Sequence, residues 1–201
     1  MFMETKNTNM VSRDIFMKNR IIDTAEKRFS QYGFKRVAMD DIASDLGISK
    51  KTLYKHFKSK KDIAWAVKER MHRDIDKLLQ KAKREVPDPI ERFKKVIAEV
   101  TSRVSVMGSA FMTDIKKEIP DLWRECEEFR EREIYEYIGG ILKEGIKKGK
   151  IRKDIDTKIA VMAYLGAIRM IIQPDVLMEN QFSIGDAFNN ILKIFLEGIK
   201  K

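Results

Sequence analysis

Ser49, Lys50, Lys51 and Thr52 crowd four polar side chains into one turn, and Tyr54, Lys55 and His56 follow directly. Lysine donates to guanine O6 and N7, and threonine packs on a thymine methyl, so these types can read base edges. They do so only if a rigid element lifts them into a groove. The flanking residues supply one. Ile42, Ala43 and Leu46 form one apolar face, Gly47 stops that helix in a left-handed turn, and Ser49 caps the next. Leu53 and Phe57 return to a core, leaving Lys50, Lys51, Thr52 and Lys55 outside. This is the pattern of a helix-turn-helix, whose second helix enters the major groove.

Charge agrees with that pattern. The 201 residues carry a net charge of +10; residues 1–61 hold 14 Lys/Arg against 7 Asp/Glu, and the remainder 27 against 24. A basic excess focused on the motif is the footprint of a nucleic-acid binder. Lys60, at the first turn of the next helix, is expected beside free backbone N–H groups as a phosphate seat. Lys35 and Arg36, ahead of the first motif helix, are expected to reach flanking phosphates or the minor groove.

No paired carboxylates in apolar surroundings, no Ser/His/Asp grouping and no glycine-rich phosphate loop are evident, so no enzyme activity and no cofactor are expected. His56 and His72 are too far apart to suggest a metal site. Cys126, the one cysteine, is expected to be an inert thiol in a reducing cytoplasm. Met1–Arg20 lacks the apolar centre of a signal peptide, and the longest apolar run, Ile159 to Ile168, is ten residues, too short to cross a bilayer. No membrane role is expected.

With 43% hydrophobic residues, four prolines and no alternating strand pattern, the chain is expected to be all-α, with about nine helices. Residues 1–12 read as a disordered arm, followed by a helix from Asp14 to Tyr32 and the two motif helices. Ser59–Asp62 is a capping box opening a long helix to Arg84. Further helices are expected over Asp88–Val104, Ser109–Lys117 after a break at Gly108, and Pro120–Lys148, where Gly139-Gly140 marks a kink or a close approach. The last two run from Asp156 to just before Pro174 and from Ser183 to Gly198. The domain division is a helix-turn-helix head over residues 1–61 and a helical regulatory and dimerisation part over 62–201.

The motif resembles the DNA-binding region of TetR (tetracycline-repressor-like) regulators. The matching residues are Gly33-Phe34, Asp41-Ile42-Ala43, Gly47-Ile48-Ser49, Thr52-Leu53-Tyr54, His56-Phe57 and Ser59-Lys60, within Ile21–Ile63. At Ala38 the family usually has a threonine cap; alanine supplies none, and Asp40 is expected to cap a shorter helix. Farther on the likeness rests on helix order and on the turn Gly145–Asp156. It implies that Tyr54 and His56 bind DNA phosphates, and that the chain is a cytoplasmic transcriptional regulator, a repressor released by a small molecule. It also implies a homodimer on a palindromic operator, seamed by Ile159, Met162, Ala163, Gly166 and Ala167 of the eighth predicted helix and Phe188, Ile191, Leu192, Phe195 and Ile199 of the ninth. An apolar ligand pocket is implied as well, with Met71, Ile97, Val100, Met107, Phe111, Met112, Trp123, Tyr137 and Met162 as its candidates. The alternative is a ligand-independent DNA-binding protein whose C-terminal part holds another protein; a filled core would favour it.

Overall fold

The computed structural model describes residues 2–200, with side chains from Ser12 onward, Ser109 apart. Among the described residues nine helices follow one another: α1 (Phe2–Tyr32), α2 (Met39–Leu46), α3 (Lys50–His56), α4 (Lys60–Glu85), α5 (Pro89–Glu118), α6 (Pro120–Lys147), α7 (Thr157–Ile171), α8 (Pro174–Glu179) and α9 (Ile184–Ile199). Among the described residues the extended pairing is limited to one bridge between Ile151 and Lys200.

Helix starts follow the caps in the sequence. Ser59, Asp88, Asp156 and Ser183 each accept a backbone N–H of the first turn that follows. α2 differs: Ala38 sits at its N-cap without a side-chain acceptor, and Asp41, not the expected Asp40, reaches back to the Ala38 N–H at 2.8 Å. A carboxylate at the third helical position has the right reach for that bond.

Two expectations need correction, and two hold with an addition. The arm over residues 1–12 is helical from Phe2, because nothing before Tyr32 breaks α1. Gly108 does break a helix, at φ 69° and ψ 157°, but the helical backbone on either side runs on as the two arms of α5. Gly139-Gly140 neither kinks α6 nor admits a neighbour; open space surrounds both. The close approach is at Gly145, where a Cβ would lie 2.4 Å from Ile151 Cδ1. Finally, Pro174 does more than end α7: it takes the first position of the short α8, where its missing N–H costs nothing.

Two apolar cores result. One gathers Ile21, Phe29, Ile42 and Leu53 of the head, and also Ile63 of α4, Met107 and Ile115 of α5, Ile119 at the junction and Leu122 of α6. The other lies among α5, α6, α7 and α9, centred on Phe93, Tyr164 and Phe195, with ring centroids 4.8–6.0 Å apart. The head's core therefore extends well past residue 61, and the second arm of α5 belongs to both halves.

Candidate functional site

The head is locked by ion pairs and caps. Arg28 of α1 holds Asp45 of α2 through two bonds of 2.5 Å. Gly47, at φ 62°, makes the turn, and Ser49 Oγ caps α3 by accepting the Thr52 N–H at 3.1 Å. Ser49 and Thr52 also bond each other through their hydroxyls at 2.9 Å, so both oxygens are engaged in holding the helix start. Lys50 Nζ lies 2.5 Å from Asp40 Oδ2, which raises the lysine's pKa and ties α3 to α2. Lys51, Tyr54 and Lys55 remain exposed on α3, with Lys35 and Arg36 exposed beside them.

Two expected phosphate contacts are placed elsewhere. Lys60 does not face outward: its ammonium donates to the carbonyls of Phe34 (2.7 Å), Val37 (2.6 Å) and Lys35 (3.2 Å), and lies 4.3 Å from the Phe34 ring centroid. Burial lowers its pKa. Those carbonyls come from the α1–α2 turn, which has no helix or sheet to satisfy them, and a lysine tether is the solution adopted. The His56 side chain is 8% exposed, with Nδ1 3.1 Å from Asp14 Oδ1 of α1. It packs back on α1 and leaves Tyr54 and Lys55 as the outward groups.

Behind the head lies a cavity of about 180 Å³ between α4, α5 and α6. Met71, Ile97, Val100, Met107, Phe111, Met112, Trp123 and Tyr137 all line it. Met162 does not; it is 64% exposed on α7, because its position faces away from α6. The sequence reading missed the polar lining: Lys68, His72, Arg130 and Glu133. Spacing held part of the signal, since Arg130 lies seven positions before Tyr137, two turns along one face. Cys126 also lines the cavity, and burial pushes its thiol up to about 11, which keeps it protonated and unreactive.

The cavity wall touches the head. Phe111 stacks on Phe29 of α1 with centroids 5.9 Å apart, and Asp114, one turn on, accepts the Lys35 backbone N–H at 2.8 Å. Gly33 makes this approach possible: it has φ 80°, and a Cβ there would stand 2.7 Å from Asp114 Oδ2.

The family profile "Bacterial regulatory proteins, tetR family" matches residues 21–67, the span that holds this motif. Its head is a TetR-type DNA-binding region. Over 184 residues it is 25% identical to the uncharacterized HTH-type transcriptional regulator YvaF of Bacillus subtilis (strain 168), spanning 91% of this chain and 95% of that one. The "Fatty acid metabolism regulator protein" of the same organism is 24% identical over 187 residues, spanning 90% and 94%. In fold, a TetR-family regulator from Agrobacterium tumefaciens superposes with a TM-score of 0.70 at 16% identity, covering 94% of this chain and all of its own. The chain is therefore a transcriptional regulator with a TetR-type helix-turn-helix DNA-binding head.

The expected TetR dimer face divides in two. Ile159, Met162, Ala163 and Gly166 are exposed on α7, with Ala167 half-buried beside them. On α9 Phe188, Ile191 and Ile199 are buried in the chain's own core, while Leu192 and Phe195 are half-buried against it. α9 packs its most apolar side on α5 and α7, so those three are structural here. Ile194, 73% exposed, and Met170, 75% exposed, are the outward apolar residues that the sequence reading passed over. No helix among the described residues is long and apolar enough to cross a membrane.

Proposed function

We propose that this protein is a homodimeric repressor that leaves its operator when a small, largely apolar molecule fills the cavity behind the head. The observation that carries this reading is the second arm of α5. Phe111, Met112 and Ile115 line the cavity, while Asp114 on the same turns holds the α1–α2 turn of the head. A molecule that moves this arm moves the element that orients Lys51, Tyr54 and Lys55. It acts as an inducer only if it binds the displaced conformation more tightly than the DNA-bound one.

In this reading Lys51 reads a base edge, Lys50 and Thr52 support that contact, and Tyr54, Lys55, Lys35 and Arg36 seat phosphates. Phosphate contacts set register and most of the affinity, and Lys51 sets preference. A regulator without a ligand, working through a protein partner, would be expected to fill its core; a cavity of about 180 Å³ lined by methionines and aromatics favours the ligand-gated reading.

The test is selection of bound DNA from a random pool. The expected product is a palindrome whose half-sites lie roughly 34 Å apart or a multiple of it. Lys51→Ala shifts the preference at one position per half-site by roughly 1–3 kcal/mol. An identical motif for both proteins would remove Lys51 from base reading, and a non-palindromic product would count against a dimer.

A further inference from the structure

The cavity's charged lining is unevenly satisfied. Lys68 is buried but paired, with Nζ 2.8 Å from Glu69 and 2.6 Å from Glu125. Glu133 faces Arg132 at 3.4 Å. Arg130 lines the same cavity and is bonded to no carboxylate among the described residues. Its acidic neighbours are engaged elsewhere: Glu127 accepts from Gln173 Nε2 at 3.1 Å, and Glu131 faces Arg169 at 3.4 Å. Burial lowers the guanidinium's pKa, the mark of a cation stripped of water without full compensation. Next to it in sequence, Phe129 stacks on His72, centroids 3.6 Å apart and planes within 7°, which fixes the imidazole at the cavity wall. His72 Nε2 is buried and has no hydrogen-bond partner.

We propose that the cavity's ligand is an apolar molecule ending in a carboxylate, with the carboxylate on Arg130 beside His72 and the apolar body along Met71, Val100, Met107 and Phe111. This rests on the ligand-gated reading of the cavity. The planar guanidinium fork matches a carboxylate through two parallel bonds, and the Nε2 position supplies a further polar contact. A neutral ligand leaves Arg130 without a carboxylate bond, and a cationic one adds repulsion to that cost. The carboxylate is therefore the head group that gains most from this wall. The available space exceeds the roughly 150 Å³ in which an apolar cavity takes up benzene, so a short or medium chain is the size that fits.

The experiment uses the full chain and three classes of probe: hexanoate, octanoate and decanoate; octanol; and octylamine. Binding is read by calorimetry and by the rise in melting temperature. Octanoate should bind about tenfold or more tightly than octanol, as expected for a charge-assisted bond, and octylamine should be the weakest. R130Q should bring octanoate down to the level of octanol, while Arg130→Lys should keep part of the preference because it retains charge without the fork. Equal affinity of octanoate and octanol for the unmodified protein would overturn the assignment, whatever the variants do. So would an acid preference that survives in R130Q. If octanol binds and releases operator DNA as well as octanoate does, the carboxylate assignment fails and the ligand-gated reading stands. If every probe binds the cavity and none changes DNA affinity, the ligand-gated reading fails instead.

Discussion

The Asp114 carboxylate accepts the backbone N–H of Lys35 at 2.8 Å, across 79 positions of sequence, and so fastens the cavity wall to the turn before α2. The bond joins a charged acceptor to a backbone donor that has no other partner in that turn. It lies one helical turn from Phe111, whose ring faces both the cavity and Phe29.

Asp114→Ala is expected to cost roughly 0.5–1.5 kcal/mol of stability, because it removes a hydrogen bond whose donor water can reach. It should also weaken the coupling between cavity occupancy and DNA affinity. Denaturant unfolding gives the first quantity, and operator titrations with and without a cavity-binding molecule give the second. A variant with unchanged stability and full coupling would show that the fastening is idle.

Lys60 and Lys55 should behave in opposite ways, although both are lysines at the motif's edge. Lys60→Ala removes the donor for three carbonyls and should lower stability by roughly 1–3 kcal/mol. It should leave the salt dependence of DNA binding unchanged, since that ammonium touches no phosphate. Lys55→Ala should leave stability nearly unchanged and reduce the slope of log K against log salt by about one per half-site. A reduced slope in the Lys60 variant would return that residue to the phosphate surface.

The α7 and α9 substitutions separate the dimer seam from the core. Ala163→Glu or Gly166→Glu puts a charge on an exposed apolar face and should yield folded monomers that have lost tight operator binding. Ile191→Glu buries a charge in the chain's own core and should unfold that half. Light scattering and circular dichroism distinguish the outcomes. A dimeric, tight-binding Ala163→Glu protein would move the seam off this face.

The local elements were legible because their signals are local. Capping by Ser49, Ser59, Asp88, Asp156 and Ser183 needs only a side chain and the next turn's N–H groups, and Gly47 is marked by its own conformational freedom. The apolar spacing of Ile42, Ala43 and Leu53 determined which way the motif helices face. By itself the sequence therefore determined the helix-turn-helix and the all-helical class.

What only the tertiary structure decided is how long side chains spend their charges and which apolar faces meet. The sequence alone cannot show where Lys60 points, because its partners, three carbonyls 23 to 26 positions earlier, become neighbours only when α1 and α4 pack. Phe188, Ile191 and Ile199 have the same composition and helical spacing as a dimer seam, and only the packing of α9 on α5 and α7 assigns them to the core. The 58 positions between His72 and Arg130 hide their meeting in the sequence; only the packing of α4 on α6, with His72 stacked on Phe129, makes both line one cavity. Periodicity records that a face is apolar, whereas the identity of what covers it depends on contacts between distant segments.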